Sequence, residues 1–306
     1  MRFIVTFFTF LFFLSCDNGP STPNIIIIVF EESPFSYSPT TGYDYIDGSV
    51  FKKIAEEGVE FKNAFTASPH LAVYKQSLMS GLHTGHLLSK SFDSKTLQHL
   101  EETFSTKNYE INQHTNLSTW KNHTSTDISF LDVIWITDGT FPIIEARVRN
   151  IVEQIPDHTL LIITAASGSG KKFSEENLLV PLLLHLPEKT PAGTSTAQPI
   201  YTPDLLPTLA AFLQTNQLPT QLDGKSVHHY AIRPDTPIDD RILYWTSTGD
   251  QPTEIVRFNQ WKMVKLYGSS EWRLYDMITD PSETDNVAAY HPGKFQKFQE
   301  WVAKNR

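Results

Sequence analysis

Apolar residues follow two different regimes along the chain, and the change between them falls near Pro234. In the first regime apolar positions run together. Asn24-Ile25-Ile26-Ile27-Ile28-Val29-Phe30 is a β-branched run without alternation, which predicts a strand buried on both faces, as in an α/β sheet. Residues 49–57 have helical spacing closed by Gly58, Val59-Glu60-Phe61 alternates as a strand, residues 74–79 suit a helix stopped by Gly81, and residues 97–103 repeat the helical pattern. Residues 132–136 and 159–164 predict two further apolar strands, with a helix from about residue 143 to 154 between them. Strand, helix, strand at that spacing is a crossover unit, so the pattern predicts a large, mostly parallel sheet between helices. Residues 180–186 add a buried strand and 203–213 a helix.

In the second regime the segments are short, aromatic and alternating: 241–246, 255–259, 262–267 and 272–276. They predict a small antiparallel sheet with one solvated face. A last helix, about 292–304, carries Phe295, Phe298, Trp301 and Val302 on one stripe and is expected to cover that sheet. Trp245, Trp261, Trp272 and Tyr275 have two readings, the core of the sheet or a platform for sugar rings. The division that follows is an α/β domain over 24–234 and an antiparallel subdomain over 235–306.

Ahead of the fold, residues 1–15 join one positive charge at Arg2 to an apolar run from Phe3 to Leu14, with a small residue before Cys16. This resembles a bacterial lipoprotein signal, with Cys16 lipidated and residues 16–23 a short tether; an ordinary secretory signal is the alternative. The resemblance implies export to the periplasm or cell surface, with the membrane engaged only through the lipid. Cys16 is the one cysteine of 306 residues, so the body of the protein holds no disulfide, no cysteine-ligated zinc and no cysteine nucleophile. The formal charge of -9, with no basic run, argues against a nucleic-acid partner.

Two places invite chemistry. Ala165-Ala166-Ser167-Gly168-Ser169-Gly170-Lys171-Lys172 is a glycine-rich turn with lysines after an apolar strand, yet the first glycine of a phosphate-binding loop would fall at Ala165 and its Ser or Thr at Lys172. Glu31-Glu32 stands at the carboxyl end of the first strand, where open α/β sheets place ligands. Two carboxylates are too few for a calcium ion by themselves.

In order along the chain, Pro23-Asn24, the Ile run and Glu31-Glu32, then residues 51–61, Ala67-Ser68-Pro69 and residues 77–86 resemble the sulfatase family of the alkaline-phosphatase-like superfamily. Residues 157–164 with Leu179-Val180-Pro181, residues 201–213, Leu222-Asp223-Gly224-Lys225-Ser226, residues 261–264 and residues 274–286 extend the resemblance over nearly all of the chain after residue 23. It implies a large mostly parallel sheet between helices, a small C-terminal sheet with a covering helix, and hydrolysis of sulfuric esters by a formylglycine made from Cys or Ser.

At the catalytic positions this sequence departs from the family. Between the matched flanks stands Leu71-Ala72-Val73-Tyr74-Lys75, so the nucleophile position holds Leu71, whose isobutyl side chain cannot become an aldehyde. The second metal pair corresponds to Ala166-Ser167, and the family's lysine-bearing segment to His114-Thr115-Asn116. Lys75 stands for the family arginine, and Lys171 or Lys172 for its last lysine. Glu31 and Glu32 remain of the metal carboxylates, so no cofactor is required and calcium binding is expected to be weak. His70, His83 and His86 are expected near the former site, as solvated or hydrogen-bonding residues with a lesser claim as ligands. The implied role is an inactive pseudo-sulfatase that binds a sulfated glycan or a protein partner. The alternative is an active sulfuric- or phosphoric-ester hydrolase with another nucleophile, such as Thr66 or Ser68.

Overall fold

The structure is a computed structural model, and it describes residues 22–38, 42–88, 99–105, 109–115, 117–121, 123, 129–247, 254–265 and 268–305. Residues 1–15 and Cys16 lie outside them, as do the first two residues of the helix expected over 97–103. The chain opens with β1 (Asn24–Phe30), a hairpin of β2 (Ser36–Ser38) and β3 (Gly42–Asp44), then α1 (Val50–Glu57), β4 (Val59–Phe61) and β5 (Ala64–Phe65). Ser49 caps α1 by accepting the Lys52 N–H at 3.2 Å. Gly58 follows because a Cβ there would meet the Leu184 carbonyl at 2.4 Å.

Next come α2 (Leu71–Ser80), α3 (Thr84–Leu87), α4 (His99–Ser105), β6 (Glu110–His114), β7 (Phe130–Ile136) and α5 (Phe141–Val152). Gly81 ends α2 in the left-handed conformation, φ 70°, and donates its N–H to Ser77 O. The chain continues through β8 (Thr159–Ala165), α6 (Glu175–Leu178), β9 (Leu182–His185), β10 (Thr194–Thr196), β11 (Ile200–Tyr201), α7 (Leu205–Phe212) and α8 (His228–Ile232). The small sheet is β12 (Ile242–Thr246), β13 (Glu254–Phe258), β14 (Trp261–Lys265) and β15 (Trp272–Asp276), followed by α9 (Pro292–Asn305).

The large sheet has the order β10-β4-β9-β8-β1-β7-β6. Its core, β8-β1-β7-β6, is parallel, and β9 runs antiparallel to both neighbours, so the sheet is mixed. β1 is central and every residue from Ile25 to Phe30 is buried. Helices on both faces account for the missing alternation: α1 packs with α5, and α2 with α4 and α7. Asp132, read from sequence as the first residue of a strand, is the third residue of β7 and fully buried. Its carboxylate accepts from Trp120 Nε1 (2.8 Å) and Asn112 Nδ2 (3.2 Å) and lies 2.9 Å from His123 Nε2.

The small sheet corrects the expectation of a solvated face, because both of its faces are covered. Leu243, Trp245, Ile255, Val264 and Tyr275 pack on Phe65, Leu178, Leu179 and Tyr201 of the large domain. Tyr244, Val256, Trp261, Met263, Trp272 and Leu274 pack under Phe298 and Val302 of α9. The tryptophans and Tyr275 are therefore core. Lys262, next to Trp261 on β14, is fully buried, with Nζ 2.7 Å from Glu283 Oε1 and 2.9 Å from the Phe173 carbonyl. No helix among the described residues is long and apolar enough to cross a membrane.

Candidate functional site

The carboxyl ends of β1, β7 and β8 meet under the first turn of α2. Glu31 and Glu32 leave β1 with exposed side chains. Backbone bonds stitch the strand ends together: Glu31 N donates to Ile136 O (2.8 Å), Ala166 N to Phe30 O (2.7 Å) and Ser33 N to Ser167 O (2.8 Å). Ala166 is fully buried and offers only a methyl group; Ser167 donates its hydroxyl to Glu31 O at 3.0 Å. Calcium takes six to eight oxygen ligands. Two exposed carboxylates beside an alanine and a serine committed to a backbone carbonyl do not fit that ion.

Leu71 is the first residue of α2 and packs, partly buried, against the main core. One turn on, Tyr74 is buried with its ring edge-on to Trp135 of β7, and burial pushes its hydroxyl well above the usual phenol range. Lys75 places Nζ 4.5 Å from the centre of the Trp135 ring, so its cation rests on an indole. His70, just before the helix, has its ring 6.4 Å from that of Phe173. Partial burial and the charge of Lys172 hold its imidazole below the usual value. Lys171 and Lys172 are exposed on the same loop. The structure thus gathers Leu71, Lys75, His70 and Lys172 at one end of α2.

The hydroxyls considered as substitute nucleophiles are buried and engaged. Thr66 Oγ1 donates to Ser68 O at 2.8 Å and accepts Ser68 N at 3.2 Å, while Ser68 Oγ accepts His70 N at 3.3 Å. His114 closes β6 with Nε2 3.6 Å from Asp132 Oδ2, and Asn116 lies outside the described residues.

His83 and His86, expected near the former site, stand apart from Leu71. They lie beyond the far end of α2, about 15 Å along its axis at 1.5 Å per residue over ten residues. There they meet Asp223, whose Oδ2 accepts His83 N at 2.9 Å and stands 2.8 Å from His86 Nδ1. The two rings stack with centroids 4.6 Å apart. Among the described residues this is the group of three whose ligand atoms come within 4.8 Å of one another. Its hydrogen bonds oppose a metal. His83 Nδ1 caps α3 by accepting Gly85 N (2.9 Å) and His86 N (3.4 Å), which puts the ring proton on Nε2, the atom 3.6 Å from Asp223 Oδ1. A protonated nitrogen has no lone pair for a cation, so the cluster is a hydrogen-bonded one. Sequence reasoning held both motifs, Gly81-Leu82-His83-Thr84-Gly85-His86 and Leu222-Asp223-Gly224, but no spacing joins residues 140 positions apart.

The fold is the alkaline-phosphatase-like one of the sulfatase structures with which it aligns. Residues 170–305 match the family model for the C-terminal part of N-sulphoglucosamine sulphohydrolase. An N-acetylglucosamine-6-O-sulfatase of Bacteroides thetaiotaomicron is 26% identical over 161 residues, 46% of this chain and 29% of that protein. A sulfatase of Formosa agariphila is 27% identical over 159 residues, 44% of this chain and 28% of that protein. The matched part thus spans less than a third of either relative. Of solved structures, one in complex with its substrate D-glucosamine-2-N,6-O-disulfate aligns with TM-score 0.76 at 13% identity, covering 93% of this chain and 97% of that one. Ps i-CgsB in complex with k-i-k-neocarrahexaose aligns with TM-score 0.70 at 16% identity, covering 93% and 94%. The chain is thus similar to sulfatases in sequence over part of its length and in fold over nearly all of it.

Proposed function

We propose that the protein is an exported pseudo-sulfatase that binds sulfated glycans without hydrolysing them. The observation that carries this reading is Leu71 at the head of α2, partly buried against the core, where the family's nucleophile would stand. No oxidation makes an attacking group of its side chain. Ala166 and Ser167 weaken the site further, since a cation that would acidify the nucleophile and meet the charge developing on the ester oxygens lacks oxygen donors there. Lys75 is drawn onto Trp135, while Lys172 and His70 stay available at this end of α2 beside Lys171, Glu31 and Glu32. The sulfated sugars come from the relatives: one acts on a 6-O-sulfate of N-acetylglucosamine, and one neighbour holds a disulfated glucosamine. Export with a lipid at Cys16 suits a polymer met outside the cell.

Purified protein in millimolar calcium is expected to release no sulfate from an aryl sulfate or from D-glucosamine-2-N,6-O-disulfate above a mock purification. Turnover that disappears on denaturation and tracks the purified protein sinks this reading and restores an active hydrolase with another nucleophile.

A further inference from the structure

A cavity of about 690 Å³ opens where the loop after α2 meets the small sheet and α9. That size is ordinary for a small-molecule site, which runs from about 300 to 1,000 Å³. It lies at the end of α2 opposite Leu71, and neither the strand-end site nor its remnants line it.

One wall is the stacked pair His83 and His86 with Asp223, held as described above. The wall depends on Gly85, where a Cβ would meet the His83 ring at 2.6 Å and the Tyr244 ring at 3.1 Å. Aromatic rings continue this wall: Tyr244 meets His83 edge-on with centroids 5.7 Å apart, and Trp301 of α9 lies 5.8 Å beyond it. Lys225, two residues after Asp223, and Lys304, in the last turn of α9, line the cavity with exposed side chains, as does Asp240.

The combination selects a ligand class. A bare anion would meet Asp223 and Asp240, and an apolar ligand would strip water from Asp223, Asp240, Lys225 and Lys304 with nothing in return, while Arg241 is already paired with Asp204. A sugar ring offers an apolar face to an indole and hydroxyls that donate to carboxylates. An acidic substituent on that ring gives the lysines a partner. We propose that this cavity is a binding site for a sugar residue carrying an acidic group, its ring against Trp301 and Tyr244, its hydroxyls on Asp223 and Asp240, and its acidic group between Lys225 and Lys304. The proposal rests on the glycan-binding reading above and locates it away from the degenerate catalytic end.

The probes are D-glucosamine-2-N,6-O-disulfate, glucosamine, and benzenesulfonate as an aromatic anion without a sugar, titrated by calorimetry and tryptophan fluorescence against the whole chain. The disulfated sugar is expected to bind and to change the fluorescence of the wild type but not of Trp301→Phe. Binding is expected to weaken at least tenfold in Lys225→Ala/Lys304→Ala, whose surface changes leave the fold intact. It is expected to stay within twofold of wild type in Lys171→Ala/Lys172→Ala. If the sugar binds but only the Lys171 and Lys172 variant weakens it, the cavity proposal falls and glycan binding stands. If benzenesulfonate binds more tightly than the disulfated sugar, or glucosamine as tightly, the assigned ligand class is wrong. If no disulfated sugar binds at millimolar concentration, both readings fall.

Discussion

Lys262→Met tests how the small sheet is fastened to the loop that carries Lys171 and Lys172. The ammonium of Lys262 is fully buried; it donates to the Phe173 carbonyl (2.9 Å) and to Glu283 Oε1 (2.7 Å), and lies 3.8 Å from Glu175 Oε2. Arg257 Nε sits 2.9 Å from Glu175 Oε1, so two cations face two carboxylates. Methionine keeps the apolar stem packed and removes one charge, leaving one cation for two carboxylates whose side chains are only 10% and 17% exposed. Removing one partner of a buried pair costs about 3–5 kcal/mol, because the other charge stays desolvated. Glu175 keeps Arg257, and Glu283 still accepts the Glu175 N–H at 2.7 Å, so the lower end applies, about 3 kcal/mol. At about 2 °C per kcal/mol for a chain of this size, the melting temperature should fall by about 6 °C. Lys262→Met/Glu283→Gln restores one cation to one carboxylate and should recover more than half of the loss. Urea and thermal unfolding followed by circular dichroism decide it. A loss below about 1 kcal/mol, or a double variant no better than the sum of the singles, refutes the charge argument.

Acid should loosen the His83 corner. Burial holds the His83 imidazole below its usual value despite the Asp223 charge, so below about pH 6.5 the unfolded chain binds the proton more readily than the folded one. His83 therefore contributes stability that is present above that pH and lost as pH falls through the folded value, when Nδ1 becomes a donor and no longer caps Gly85 and His86. His83→Asn keeps a capping acceptor without the titration, and its melting temperature should fall less between pH 7 and 5.5 than that of the wild type; equal slopes would remove His83 from the account. Leu71→Cys should stay inactive, because Val73 and Lys75 still break the maturation motif and Ala166 still lacks a donor. Sulfatase activity in that variant, checked with mass spectrometry of the residue-71 peptide, would show that the metal site is intact. Cys16→Ala should move the protein from the membrane to the soluble fraction or block its processing; unchanged partitioning points to another mode of attachment.

The uniform runs of β1 and β8 could be read directly as strands buried on both faces, since a strand between helix layers has no polar face to alternate. The side-chain chemistry of Leu71 and Ala166 was equally legible: neither offers a nucleophilic or metal-binding atom in any conformation. Three matters depended on packing between distant segments. The small sheet alternates because its two faces meet different partners, the large domain and α9, rather than protein and water. Lys262 and Asp132 are charged residues in buried strands, and only the carboxylates, indole, amide and imidazole that converge on them from elsewhere in the chain make that burial tolerable. Asp223 reaches His83 across 140 positions through a backbone N–H and the neighbouring ring, a contact that no local pattern encodes. Composition and chemistry are properties of each residue, whereas burial and proximity are set by the arrangement of the whole chain.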